Sequence, residues 1–181
     1  MKNAIIAAIG ISLLFGAIFL VGCDEKPPTA PDLPPVMTCV ISGDVNLNYS
    51  SKKGFIGKTA GFPNIKQFFF SSYANVNDKT YDVLISIFYQ SGIDSGGTYA
   101  IYPQEDTSET SKYAWAAFVI DGKDINKTEF WADSGTVRID TLIVSSYMNF
   151  IKGTFNFEAT DSSGSRAVIA DSGKFNIKKY Y

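Results

Sequence analysis

The sequence predicts an all-β protein: a single antiparallel β-sandwich or calycin-like β-barrel of about nine to eleven strands, placed behind an apolar N-terminal segment. Three observations carry this expectation. Aromatic residues make up 14% of the chain and Gly, Ser, Thr and Asn are plentiful, a composition suited to pleated, half-buried surfaces. Apolar residues recur at period two from Val36 onward, and past Cys23 no window of twelve or more residues repeats at helical spacing. Turn-forming clusters break the apolar runs at short intervals, as in a sandwich or barrel. No internal repeat is visible, which argues against a propeller or solenoid.

The chain opens with a short basic stretch, Met1-Lys2-Asn3, followed by the uncharged apolar segment Ala4–Val21. Leu20-Val21-Gly22-Cys23 then fits the bacterial lipobox. Leu20 is the branched apolar residue, Val21 the tolerant position, and Gly22 the small residue that signal peptidase needs beside the scissile bond. The Cys23 thiol is the nucleophile that takes the diacylglyceryl group. The competing reading is a retained anchor, since the segment approaches the ~20 residues needed to span a bilayer. Gly10 and Gly16 weaken it as a permanent span, and the cysteine stands where cleavage would place it. The expected organisation is a signal peptide at 1–22, a lipidated cysteine and tether at 23–36, and an all-β domain at 37–181. One acyl chain binds marginally, at ~0.8 kcal/mol per buried methylene, whereas the two or three of a bacterial lipoprotein hold permanently. The bilayer is therefore an expected partner, through acylated Cys23.

The tether, Asp24–Pro35, holds five of the seven prolines and favours polyproline II. At ~3.1 Å per residue it could reach roughly 37 Å. The formal charge is −2 for the whole chain and −3 once Lys2 is removed with the leader. With no basic block, nucleic acid is excluded as a partner.

Along the domain, Met37–Asn48 alternates, with Cys39, Ile41, Val45 and Leu47 on one side and Val40 as an apolar exception on the other. Gly54–Ala60 and Ile65–Tyr73 follow, split by a turn at Gly61-Phe62-Pro63-Asn64. Phe68-Phe69-Phe70 is aromatic on both faces, so that strand is expected to be covered on both sides or to line a cavity. Tyr81–Gln90 places Tyr81, Val83, Ile85, Ile87 and Tyr89 on one face. A glycine-rich turn over Ser91–Gly97 leads into Thr98–Tyr102, and Pro103–Ser111 reads as a polar loop. Lys112–Asp121 carries Trp115, with Ala114, Ala116 and Ala117 where something bulky packs close. After a turn at Asp121–Asp124, Lys127–Trp131 reads as a short edge strand. Gly135–Val144 is expected to bury Val137, Ile139 and Ile143, and Phe150–Thr160 to bury Ile151, Phe155, Phe157 and Ala159. Asp161-Ser162-Ser163-Gly164 is a hairpin turn. Arg166–Ala170 then pairs back, Asp171-Ser172-Gly173 turns or bulges, and Lys174–Tyr180 closes with Phe175 and Ile177 inward.

The stretch Ile151-Lys152-Gly153-Thr154-Phe155, with the closing Gly173-Lys174-Phe175, resembles the C-terminal signature of small lipobox-bearing proteins of the Bacteroidota. The Gly97-Thr98-Tyr99 strand and the aromatic Tyr113–Trp115 strand stand in the order seen in that family, over residues 38–180. The resemblance implies an all-β lipoprotein domain of unknown function and carries over no catalytic residue. Asp24 after the cysteine resembles the inner-membrane retention signal of enterobacteria, and in Bacteroidota acidic residues there resemble a surface-export signal. With the family resemblance this implies the outer membrane of the cell envelope, in either leaflet.

The chemistry of the chain is sparse. There is no histidine, which removes the commonest general base and metal ligand. Ile93-Asp94-Ser95-Gly96-Gly97 is superficially similar to the surroundings of a serine-protease nucleophile, but a triad needs a histidine, so Ser95 reads as a turn residue. Asp44, Asp82, Glu129, Asp140 and Glu158 supply carboxylates of the kind a glycosidase uses, yet read more simply as outward strand residues. Asp121, Asp124 and Asn126 do not match a calcium loop. Cys39, left without an intramolecular partner, reads as a buried apolar residue. No enzyme, cofactor or metal is expected. The expectation is a non-catalytic binding or structural module that holds a protein or glycan through loops or through Tyr49, Tyr73, Tyr102, Tyr147, Tyr180 and Tyr181. The alternative is a calycin-like barrel carrying a small apolar ligand.

Overall fold

The computed structural model describes residues 34, 36–60, 66–90, 92–93, 95–103, 112–122 and 125–181, with the backbone alone at 59, 60, 122, 125 and 126. Leu20, Val21, Gly22 and Cys23 lie outside the described residues, as do the turns at 61–64 and 123–124 and most of the loop at 103–111. Among the described residues there is no helix, and hence none long and apolar enough to cross a membrane.

Ten strands form one sheet: β1 (Met37–Gly43), β2 (Leu47–Ser51), β3 (Lys53–Ala60), β4 (Lys66–Val76), β5 (Lys79–Tyr89), β6 (Thr98–Ile101), β7 (Lys112–Gly122), β8 (Ile125–Val144), β9 (Met148–Asp161) and β10 (Ala167–Tyr180). Their order across the sheet is β2-β1-β10-β9-β8-β6-β7-β5-β4-β3, with a further pairing of β8 to β7. The pairing is antiparallel except where Ile101 of β6 lies parallel beside Ala114 of β7, so the sheet is mixed rather than wholly antiparallel. It is a single sheet, not two, and it is not closed by a continuous ladder.

Its curvature follows from connectivity. β2 and β3 occupy opposite ends of the strand order, yet only Lys52 separates them in the chain. One residue spans ~3.8 Å between successive Cα atoms, so the sheet must roll until its edges nearly touch. Side chains stitch that seam. The buried Tyr49 hydroxyl donates to the Ser72 carbonyl at 2.5 Å, and the Ser51 hydroxyl donates to the Tyr73 carbonyl at 2.5 Å. Tyr49 is therefore a structural residue and is not available as an exposed binding aromatic.

The inner face of the roll is packed with phenyl rings. Phe68, Phe70, Phe118, Phe130, Phe155, Phe157 and Phe175 are all buried, and Phe70 meets Phe175 at 4.5 Å between centroids. Cys39 is buried there too, and desolvation raises its thiol pKa to about 12. The thiolate that would react is thus suppressed at neutral pH. On the outer face Phe69 lies across Gly57 of β3 and packs against Phe55 at 5.7 Å, so β4 is covered on both sides.

Three expectations are corrected. Met37–Asn48 is not one strand but a hairpin: the chain reverses over Gly43–Asn46, where Gly43 has φ of 105°, and Ile41 pairs back onto Leu47. Alternation survives a tight turn that preserves parity, which made the two arms look continuous. Lys127–Trp131 is not a short strand of its own, although Lys127–Glu129 are edge-like in that they precede the first pairing with β9 at Phe130. It is the first part of the twenty-residue β8, which lies between neighbours: it pairs with β7, then β6 on one side and with β9 on the other. Ile143 is exposed rather than buried, because an irregularity between Ile139 and Thr141 shifts the register. The extra residue flips parity, so Leu142 packs on the core and Ile143 turns outward.

Gly135 shows why β8 can bend between partners. Its φ is 146°, and an added Cβ would sit 2.2 Å from the Asn156 carbonyl oxygen of β9. Only glycine accepts both constraints.

Candidate functional site

Register alone assembles a site on the outer face of β4, β5, β7 and β8. Residues directly opposite one another share a face. One row runs Gln67, Phe88, Tyr113; the next Phe69, Ser86, Trp115; the next Ser71, Leu84, Ala117, Trp131; the last Tyr73, Asp82, Val119, Glu129. Bulky rings alternate with Ser86 and Ala117, and the small residues leave a hollow of about 160 Å³ between them. Gln67, Leu84, Ser86, Trp115, Ala117 and Trp131 line it.

The rings are held by one another. Phe88 stacks on Tyr113 at 4.9 Å and meets Trp115 at 4.3 Å. Two polar groups are already paired: the Gln67 amide donates to the Ser86 hydroxyl at 3.1 Å, and the Trp131 indole N–H donates to Glu129 at 3.3 Å. Lys127 lies 2.5 Å from Glu129, and a hydrogen bond from its ammonium holds the Glu129 carboxyl below its ordinary pKa, so that carboxylate stays ionised.

The Trp115 indole N–H is different: it is buried and has no acceptor. A donor in that state costs roughly 1–3 kcal/mol relative to one that is bonded. Such orphans are rare enough in folded proteins to call for a reason. A ligand that displaces the neighbouring rings enough to bring an oxygen to this N–H would supply the missing acceptor.

The residues named from sequence fall differently. Tyr73, Tyr147, Tyr180 and Tyr181 are exposed, as expected, but none belongs to this hollow. Asp44, Glu129, Asp140 and Glu158 are distributed over the outer surface and strand ends rather than gathered about one point. Asp82 has its pKa raised, first by burial and then by the charge of Asp121. No group of three or more acidic, histidine or cysteine side chains that could hold a metal occurs among the described residues. Ser95 sits in a turn, its hydroxyl donating to the Asp140 carbonyl.

Trp131, Leu84 and Phe88 were not legible as partners of Trp115. The signal was present as a second apolar parity on β5, but pairing of β5 with β7, across an intervening strand, is needed to bring it to Trp115.

No protein-family model, curated protein or solved structure matches this chain.

Proposed function

We propose that this chain is an envelope lipoprotein, cleaved after Gly22, acylated at Cys23 and held at the outer membrane, whose β domain is a non-catalytic module that binds a glycan on its outer face. The observation that carries the binding role is a hollow walled by two indoles, one of which, Trp115, also has a buried N–H without an acceptor. A sugar ring presents an apolar C–H face to such rings and hydroxyl oxygens at its edge. Its size suits a hollow of about 160 Å³ better than does a drug-sized ligand, whose pockets begin near ~300 Å³. The phenyl rings that occupy the inside of the roll favour this surface reading over carriage of an apolar ligand within it.

Both tryptophans of the chain line the hollow, so intrinsic emission reports its occupancy directly. Titration with a panel of neutral and acidic oligosaccharides is expected to give a saturable emission change with at least one of them. Trp115→Phe, which keeps a ring and removes the N–H, is expected to weaken that response about tenfold, the equivalent of ~1.4 kcal/mol. Flat titrations across the panel would remove the glycan reading. Acylation is tested separately: labelled palmitate should enter the native chain and not Cys23→Ala, and equal labelling of both would end the lipoprotein reading.

A further inference from the structure

We infer that the end of the domain formed by Tyr180, Tyr181 and the β8–β9 turn is a membrane-contact rim, where tyrosines and lysines rest on an anionic lipid surface. The inference rests on the acylation of Cys23 proposed above and goes beyond it, since a tethered domain need not touch the membrane at all.

The geometry begins with the direction of entry. β1 runs antiparallel to β10 with Met37 opposite Phe175, and the Asn176 N–H donates to the Val36 carbonyl at 2.8 Å. Stepping back from Met37 therefore moves toward Tyr180. Pro34, the first described residue, shares a surface hollow with Lys174 and Asn176. β1 thus begins toward the end of the sheet at which β10 finishes, where Tyr181 N–H donates to the Tyr147 carbonyl at 3.1 Å.

That end is also where exposed apolar side chains concentrate. Tyr147 is 79% exposed, Tyr180 68% and Tyr181 67%, joined by Ile143, Val144 and Phe55. Among the described residues only Val40, Tyr73, Val76 and Ile169 are comparable, and they are scattered elsewhere on the surface. Tyrosine at an interface keeps its ring among acyl chains and its hydroxyl in water. A groove of about 520 Å³ runs through the rim between Phe55, Phe69 and Tyr181, floored by Asn149.

Charge is sorted along the same axis. Lys58 and Lys179 line the rim groove, Lys66 begins β4 at this end, and Lys178 lies over the Tyr180 ring at 4.8 Å. Lys179 lies over the rings of Phe55 and Tyr181 at 4.9 and 5.0 Å. At the far end, acids outnumber bases: Asp44 beside Ala167, Asp78 in the β4–β5 turn, Asp121 opposite Thr80, Asp133 beside Thr160 and Asp161 in the β9–β10 turn, against Lys79, Lys127 and Arg166. An anionic surface attracts the lysine end and repels the acidic one, so the field orients the domain with this rim down. Asp94 and the acids of segment 104–111 lie outside the described residues.

Tethering lowers the affinity such a rim needs. A short linker holds the domain at an effective concentration on the order of millimolar, so contacts too weak to recruit a free protein suffice to dock a tethered one.

The test uses the acylated full-length protein, extracted from membranes and reconstituted on vesicles of phosphatidylcholine, with and without phosphatidylglycerol. An environment-sensitive fluorophore is placed through Tyr147→Cys, or at the far end through Ser163→Cys. Cys23 is acylated and Cys39 is buried, so each variant offers one reactive thiol. The expected result is a blue shift and quenching by nitroxide-bearing lipid for the label at 147 on phosphatidylglycerol vesicles. Lys178→Glu with Lys179→Glu should reduce that quenching severalfold, and the label at 163 should report water throughout. A label at 147 that reports water on both vesicles, in protein that floats with them, overturns the rim while leaving acylation intact. Protein that floats with neither overturns acylation itself, and the rim with it.

Discussion

Replacing Tyr49 by Phe isolates the stitch that holds the rolled sheet together. Tyr49 is only 2% exposed, and its hydroxyl bridges from β2 to the Ser72 carbonyl of β4 at 2.5 Å, with the Ser72 hydroxyl at 3.2 Å. Burial raises its pKa, so it remains a donor throughout the neutral range. The substitution keeps the ring, so no cavity penalty of the large-to-small kind enters. What is lost is one buried hydrogen bond together with the partner of a carbonyl at the seam, for which about 2 kcal/mol is a fair expectation. For a domain of this size, with a urea slope near ~2 kcal/mol per molar, the unfolding midpoint should fall by about 1 M. The matching loss in Tm is about 4–8 °C. Tyr147→Phe, at a 79% exposed position, serves as the control and should stay within about 0.5 kcal/mol of the parent. Ser72→Ala, which leaves the backbone acceptor in place, should cost less than Tyr49→Phe. Equal midpoints for Tyr49→Phe and the parent in urea would refute the seam as a source of stability.

Three further outcomes are expected. The folded protein should react with a thiol reagent at Cys39 only as fast as it opens, because burial lifts that thiol to about 12; rapid labelling in buffer, matching the rate in denaturant, would contradict its placement. Gly135→Ala should destabilise by about 2–4 kcal/mol, since it adds a Cβ against the Asn156 carbonyl at a positive φ, and a chemical melt near the parent's would show that β8 and β9 can separate there. Asp82 has a raised folded-state pKa, so its contribution to stability is fullest below the unfolded value and is lost as pH rises through the folded one. Asp82→Asn should therefore gain on the parent as pH rises across the carboxylate range; parallel pH profiles would argue that Asp82 is solvated.

Much of the fold could be read from period-two patterning. Phe150–Thr160 is a clear case: Ile151, Phe155, Phe157 and Ala159 are buried, while Lys152, Thr154, Asn156 and Glu158 face out. The hairpin at Asp161–Gly164 and the bulge at Asp171–Gly173 follow from turn chemistry, and both occur, the second with Ser172 at φ of 53°. What escaped is what parity cannot encode. A bulge moves Ile143 to the surface without altering the local composition, and β8 continues through Asp133-Ser134-Gly135, a cluster that usually signals a turn. The outer-face hollow escaped for a different reason. Trp115 and Trp131 belong to strands whose neighbours are set by the strand order, and no local rule states that order.

β10, the last strand made, lies between β1, the first, and β9. Until Ala167–Tyr180 has emerged, β1 lacks one of its two partner strands, and the phenyl rings it would help cover stay open. Long-range pairing of this kind slows folding, because chain closure must precede any reward from contact. A nascent polypeptide with this topology cannot complete its sheet until its last dozen or so residues arrive, so truncation near the carboxyl terminus removes the strand that joins the first-made part to the rest.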